Sequence, residues 1–217
     1  MALTIFDLDE TLIGIDSDHA WGGYIVDKGL VDEGNYRETN QKFFDDYKQG
    51  TMDVDAYMKF SCGILAKYDQ EFLFAHRDNF INEIIRPKLL PKACSLIQSH
   101  RDQGDRVIVI TATTDFVTQP IADLLGIDTL IAPVAEIVGN RYTGGIVGTV
   151  SIGKGKVTRL YEWLEGKDIS MEESRFYSDS ANDLPLLQEV TYPVAVDPDD
   201  KLAEIAKNNG WPIISLR

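Results

Sequence analysis

Short apolar runs punctuate this chain, and three of them stop at a polar residue. Residues 2–6 (Ala-Leu-Thr-Ile-Phe) lead into Asp7, residues 106–110 (Arg-Val-Ile-Val-Ile) into Thr111, and residues 175–178 (Arg-Phe-Tyr-Ser) into Asp179. Residues 193–196 (Pro-Val-Ala-Val) read as a fourth run and residues 212–216 as an edge strand. Apolar runs this short, separated by helical patterns, predict a parallel sheet covered on both faces. The helical patterns fall in between. Pro91 suits the first position of a helix reaching about residue 103, with Gly104 beyond its end. Phe116, Val117, Ile121, Leu124 and Leu125 mark a helix over 115–125, and Val157, Leu160, Tyr161 and Leu164 share one face over 155–165. Residues 182–189 and 199–209 also read as helical. Gly139-Asn140, flanked by apolar residues within 134–147, predicts a β-hairpin.

Residues 14–86 break this alternation. No buried strand is evident there, but apolar residues recur at helical spacing: Phe43, Phe44 and Tyr47; Tyr57, Phe60, Ile64 and Leu65; Phe72, Phe80, Ile81, Ile84 and Ile85. An insertion of about 70 residues is too long for a loop. The expected organisation is an α/β, doubly wound, Rossmann-like core (residues 1–13 and 87–217) carrying a small α-helical cap (residues 14–86) and a hairpin.

Composition narrows the function classes. The 217 residues are 44% hydrophobic and 26% charged, ordinary for a globular protein, with a net charge of −14. That field disfavours nucleic acid and anionic membranes as partners. It also repels phosphorylated ligands, so a phosphate site requires local compensation. No apolar run approaches the ~20 residues of a membrane helix, and no secretory signal is visible, which makes the cytoplasm the default location. Cys62 and Cys94 match no metal-ligand spacing and read as reduced thiols. His19, His76 and His100 are scattered.

The chemistry gathers at the strand ends, where ligands of open α/β sheets bind. Asp9 follows Asp7 by two residues, and Asp183 follows Asp179 by four. Converging carboxylates raise one another's pKa unless a cation intervenes. Magnesium, which takes hard oxygen ligands and retains water, suits a few carboxylates plus a phosphate. Lys154 or Lys156, in Gly153-Lys154-Gly155-Lys156, adds a point charge at a helix start. Thr111 and nearby backbone N–H groups, that of Ala112 included, can bind phosphate oxygens. Such a set suits phosphoryl transfer, in which one carboxylate attacks phosphorus and a second moves protons.

In order and spacing these residues resemble the haloacid dehalogenase superfamily of hydrolases. The four motifs appear as Asp7-Leu8-Asp9-Glu10-Thr11, as Thr111, as Lys156, and as Asp179 with Asp183. The resemblance implies a magnesium-dependent phosphomonoesterase. Asp7 would be nucleophile and metal ligand, Asp9 general acid/base with its carbonyl on the metal, Asp179 a direct ligand and Asp183 its support. Thr111, Ala112 and Lys156 would hold the phosphate. An insert directly after the first motif is similar to the phosphoserine-phosphatase-like branch, which includes histidinol phosphate phosphatases and implies a small phosphorylated metabolite as substrate. The chain departs from phosphoserine phosphatase at Glu10 and at Ala112-Thr113, and Asp16 stands nine residues after the nucleophile where a substrate-binding glutamate is expected. Asp16, Asp18 and Thr113 are therefore candidate substrate contacts, while His19 and Trp21 read as packing or pocket wall and Arg141 and Tyr142 as turn residues. A phosphotransferase or mutase would share these motifs. A receiver-like phosphoacceptor module would be far shorter and would pair adjacent acids. Either a monomer or a homodimer is compatible with the sequence.

Overall fold

The computed structural model describes residues 2–217. Strand β1 (Leu3–Phe6) opens the chain, and the insert follows as helices α1 (Ser17–Asp27), α2 (Glu33–Gln49), α3 (Val54–Gly63) and α4 (Gln70–Phe80). Helix α5 (Pro91–Asp102) leads into β2 (Arg106–Ile110), α6 (Asp115–Leu124) and β3 (Leu130–Ile131). The antiparallel pair β4 (Val134–Val138) and β5 (Arg141–Val147) comes next. Helix α7 (Lys154–Leu164), β6 (Arg175–Ser178), α8 (Leu184–Leu187), β7 (Tyr192–Val196), α9 (Asp200–Asn209) and β8 (Ile213–Ile214) complete the chain.

Six strands pair in the order β3-β2-β1-β6-β7-β8, every pair parallel. Side chains alternate across the sheet, as strand geometry dictates. Leu3, Ile5, Ile108 and Ile110 join Leu160, Phe176, Leu186 and Leu202 in one apolar layer. Phe6, Val107 and Val109 face the other layer, which continues into the insert through Trp21, Ile25 and Phe80. The doubly wound core expected from the apolar runs is therefore present, with three differences. Strand β3 was not expected, because two residues offer no periodicity to read. The edge strand shortens to Ile213–Ile214. The helix expected over 182–189 divides into a 3-10 turn, Ala181–Asp183, and the four-residue α8. Ser180 Oγ accepts the Asn182 N–H there, starting the turn three residues before α8.

Each insert helix after the second begins on a capping acid: Asp53 accepts from Ala56 N and Asp69 from Phe72 N, as Asp16 does from His19 N at α1. The chain leaves and re-enters the core side by side, since Gly14 N donates to Lys88 O at 2.8 Å. Trp21 stacks on Tyr24 and meets Phe80 and, from the core, Phe116, with ring centroids 5.3–5.6 Å apart. Pro120 lies inside α6 and has no N–H for the Phe116 carbonyl; Arg77 of the insert donates to that carbonyl at 3.4 Å. The hairpin forms where Gly139-Asn140 predicts it. Both residues have positive φ (56° and 63°), the requirement of a tight two-residue turn. Among the described residues no helix is long and apolar enough to cross a membrane. Cys62 is buried, Cys94 exposed, and both are free thiols.

Candidate active site

Strand register decides what meets. Phe6 pairs with Val109 on one side and Tyr177 on the other. Asp7, Thr111 and Asp179 therefore leave the sheet along one edge, and Asp7 N donates to Tyr177 O at 2.9 Å. The chain then turns sharply: Glu10 takes φ 59° and Leu12 N returns to Leu8 O. This turn aims Asp7 and Asp9 in different directions. Thr11 closes the gap to the neighbouring strand by donating to Asp179 Oδ1 (3.2 Å) and accepting from Asp179 N (3.1 Å).

Asp7 faces a buried lysine. Lys156 Nζ lies 2.7 Å from Asp7 Oδ1 and 2.7 Å from Asp183 Oδ2. Lys156 is completely buried, an environment a lysine tolerates only when paired. Its place depends on Gly155, because a Cβ there would stand 1.9 Å from the Val150 carbonyl oxygen. Lys154 is exposed at the start of α7, so of the two lysines Lys156 is the one in the acid cluster. Ser178 also donates to Asp183 Oδ2 (2.8 Å), whereas Asp183 Oδ1 is buried without a partner.

Asp9 faces the insert. Its Oδ1 accepts the Ser17 N–H (2.7 Å) at the start of α1, and its Oδ2 accepts the Thr113 hydroxyl (2.8 Å). Thr111 Oγ1 accepts from Thr113 N (3.1 Å), and Ser151 anchors the Thr111 carbonyl (2.7 Å). Asp16 lines the same cleft. Asp18 is buried just behind it, holding the hydroxyls of Tyr57 and Ser61.

The electrostatics follow from burial and crowding. Burial pushes Asp7 up to about 7 and outweighs the pull of Lys156, with Asp183 and Asp9 adding to the rise. Burial raises Asp9 to about 7 as well, helped by the charge of Asp16. Asp16 also reaches about 7, through burial and then the charge of Asp18. Asp179 goes well above the ordinary carboxylate range through burial and the charges of Asp7 and Asp183. Lys156 moves the other way: Asp183 and Asp7 overcome its burial and hold it above the usual lysine range. Burial is the larger influence on Asp7, and a lysine shared between two acids does not offset it.

The donor set fits a hard cation. Asp7 and Asp179 sit at adjacent strand ends, each with burdened oxygens, and Asp183 Oδ1 is an orphaned oxygen behind them. Among the described residues no group of three or more His, Cys, Asp or Glu side chains is arranged to hold a metal ion by itself. Carboxylate oxygens at two strand ends are the hard donors that magnesium takes, with water and phosphate completing its shell.

The cleft holds a cavity of about 50 Å³ and opens to solvent. Its wall includes Asp7, Asp9, Thr111, Ala112, Thr113 and Asp179 from the core, and Asp16 from the insert. It also includes residues that sequence reasoning missed: Tyr47, Lys48, Met52 and Tyr57 of the insert, and Glu10, Ser180 and Asp199 of the core. Asp199 could have been suspected, since it follows a strand at the same edge. It caps α9 through Leu202 N and accepts from Ala181 N. His19 stacks on Phe44 and Tyr142 packs on Phe116, and none of the three histidines lines the cleft.

The family profile described as haloacid dehalogenase-like hydrolase matches residues 4–188. A histidinol-phosphatase of Neisseria meningitidis serogroup C is 44% identical over 219 residues, spanning 99% of each chain. A phosphoserine phosphatase of Mycobacterium tuberculosis is 30% identical over all of this chain and 71% of its own. Among solved structures, a protein of unknown function from Bordetella pertussis Tohama I superposes with TM-score 0.94 at 39% identity, covering 100% and 99% of the two chains. A phosphoserine phosphatase complex with substrate superposes with TM-score 0.72 at 18% identity, covering 100% and 93%, a likeness of fold.

Proposed function

The chain belongs to the haloacid dehalogenase-like hydrolase family, and from that premise we propose that it is a magnesium-dependent phosphomonoesterase working through an aspartyl phosphate on Asp7. The observation that carries this reading is the parting of two acids from one motif. Asp7 turns inward to Lys156, and Asp9 turns outward to the insert. Nucleophile and proton carrier need such separate environments.

In this mechanism the Asp7 carboxylate attacks phosphorus, forming an acyl phosphate as the ester P–O bond breaks. Asp9 delivers its proton to the departing alkoxide. With its pKa near 7, Asp9 carries a proton often enough at neutral pH to give one and can later take one back. In the second half Asp9 withdraws a proton from water, which attacks phosphorus and returns Asp7 as a carboxylate with inorganic phosphate as product. Thr111, the Ala112 N–H and Lys156 hold phosphoryl oxygens. Magnesium, held by Asp7, Asp179 and the Asp9 carbonyl with Asp183 in support, would supply the positive charge that keeps Asp7 ionised and neutralises the phosphate.

The substrate we propose is a small phosphate ester bearing an amine, histidinol phosphate in particular. The relative named histidinol-phosphatase, alike over nearly the whole chain, supports it. So does the acidic wall of the cleft, where Asp16 and Glu10 outnumber the single rim cation Lys48. Asp16 is the better placed of the two insert acids to meet an ammonium, because both Asp18 oxygens are committed to Tyr57 and Ser61. Residues 14–86 act as a cap over this site and residues 1–13 with 87–217 as the catalytic core.

The test is phosphate release from histidinol phosphate, phosphoserine and p-nitrophenyl phosphate with magnesium, for the parent, Asp7→Asn and Asp9→Asn. The parent is expected to prefer histidinol phosphate. Asp7→Asn should form no phosphoenzyme, and Asp9→Asn should form it slowly and release it slowly. Full activity in Asp7→Asn would refute the mechanism.

A further inference from the structure

Tyr47 occupies a position that the mechanism above does not use. It lies in the last turn of α2, the insert helix whose C-terminal end comes down on the core. Two donors meet at its backbone carbonyl: Gly50 N at 3.0 Å, closing the helix, and the side chain of Asn182 at 2.7 Å. Asn182 directly precedes Asp183, so the acid that holds Lys156 and the residue that holds Tyr47 are chain neighbours. Gly50 makes this approach possible. It takes φ 74°, and a Cβ on it would stand 3.2 Å from Asn182 Oδ1. The end of α2 is thus pinned to the turn carrying Asp183.

The Tyr47 side chain lines the cleft together with Asp7, Thr111 and Asp179. The hydroxyls around this cleft have different commitments. Tyr57 donates to Asp18, Thr113 to Asp9 and Thr11 to Asp179. Among the described hydrogen bonds none uses the Tyr47 hydroxyl, and it is not among the buried polar atoms without a partner. Tyr47 is half-buried, lines this cleft and the adjoining cavity beside Gly50 and Asn182, and its hydroxyl is a donor without a protein partner among the described residues. Desolvation and the charges of Asp183, Asp7, Asp179 and Asp16 keep its proton in place.

We infer that Tyr47 is a substrate-binding residue whose hydroxyl donates a hydrogen bond to a phosphoryl oxygen, presented from the insert by the Asn182 contact. The inference rests on the phosphatase reading of the same site. Its consequence is that the insert contributes to holding the phosphate itself and not only the alcohol portion. Lys156 is already divided between two acids, and a further donor answers a need that the core leaves open.

Tyr47→Phe removes one oxygen and keeps the ring. Two measurements are made on parent and variant in magnesium: the affinity for inorganic phosphate by calorimetric titration, and kcat/KM on both p-nitrophenyl phosphate and histidinol phosphate. A hydrogen bond to a charged oxygen corresponds to about 10- to 100-fold in either quantity. The expected result is a loss of that size in phosphate affinity and an equal loss in kcat/KM on the two esters, with the melting temperature unchanged. Equality across esters separates phosphoryl contact from recognition of the alcohol, and from a general loosening of the fold. Unchanged phosphate affinity in Tyr47→Phe, or a loss confined to one ester, overturns the inference. If the parent binds phosphate but hydrolyses neither ester, the function proposed above fails and the binding comparison alone decides on Tyr47. If the parent does not bind phosphate, the inference fails with it.

Discussion

Replacing Lys156 with Met tests the electrostatic heart of the site. The side chain is completely buried, and its ammonium is 2.7 Å from each of two buried carboxylates. Methionine fills similar volume and removes only the charge and its hydrogen bonds. Breaking a buried ion pair by deleting one partner costs about 3–5 kcal/mol, because the other charge is left uncompensated. For a chain of this size each kcal/mol corresponds to roughly 2–4 °C in melting temperature, so a fall of about 6–20 °C is expected. The loss should depend on pH. Asp7 already binds its proton more tightly folded than unfolded, with a pKa of about 7 against an ordinary 3.8. Losing Lys156 raises it further. An acid with a raised folded pKa lowers stability as pH climbs from its unfolded value toward its folded one. Parent and variant should therefore lose stability in parallel from about pH 4 to pH 7, and the variant should fall further behind as pH rises above 7, where Asp7 is ionised only in the parent. The assay is thermal denaturation followed by circular dichroism in EDTA, which removes any compensating metal, with phosphate release measured in parallel in magnesium. A variant melting within 1–2 °C of the parent at pH 8 (roughly the shift of half a kcal/mol) would refute the view that this lysine compensates the acids.

Two further outcomes follow from single contacts. Gly155→Ala puts a methyl group 1.9 Å from the Val150 carbonyl oxygen, so α7 must shift; a loss of about 1–3 kcal/mol should appear in chemical denaturation, with catalytic loss as Lys156 moves. Behind the sheet, burial would raise Asp105, but hydrogen bonds from His100, Ala2 N and Thr4 and the charge of His100 hold it below the usual range. An acid lowered in this way stabilises above its unfolded pKa and loses that contribution as pH falls through the folded one, so Asp105→Asn should lower the melting temperature at pH 7 and match the parent near pH 2.

Three of the four motifs were legible because each is short and sits where a strand ends. An apolar run marks the strand, and the next polar residue marks the edge to which register brings Asp7, Thr111 and Asp179. The Gly139-Asn140 turn was legible for a similar reason, since few other residues accept positive φ there. Strand β3 was not, because Leu130–Ile131 becomes a strand only by pairing with Val109 and Ile110. The cleft wall from the insert was hidden by a different ambiguity. Phe43, Tyr47, Tyr57 and Phe60 share one helical spacing, and that spacing is the same whether a ring packs on its neighbours or looks into a cleft. Phe43 packs against Phe60 and Tyr57, whereas Tyr47 and Tyr57 also reach the cleft. What sorts them is the docking of α2 on Asn182, a contact between residues 135 positions apart.

The net charge of −14 points against phosphate binding, and the site explains why that inference has limited reach. Charges on the exposed surface are screened over about 8 Å at physiological ionic strength, whereas buried pairs are screened much less. The balance that a bound phosphate meets is therefore set by the few groups that share its burial. Two of these acids, Asp7 and Asp183, are joined to Lys156, Asp179 is joined to Thr11, and Asp9 is turned aside to Ser17 and Thr113. In the proposed mechanism the same crowding that raises Asp7 and Asp179 would draw in a hard cation, and a cation so held would convert a repulsive cluster into an attractive one. Acids gathered at one sheet edge would thereby recruit the positive charge that the sequence as a whole lacks.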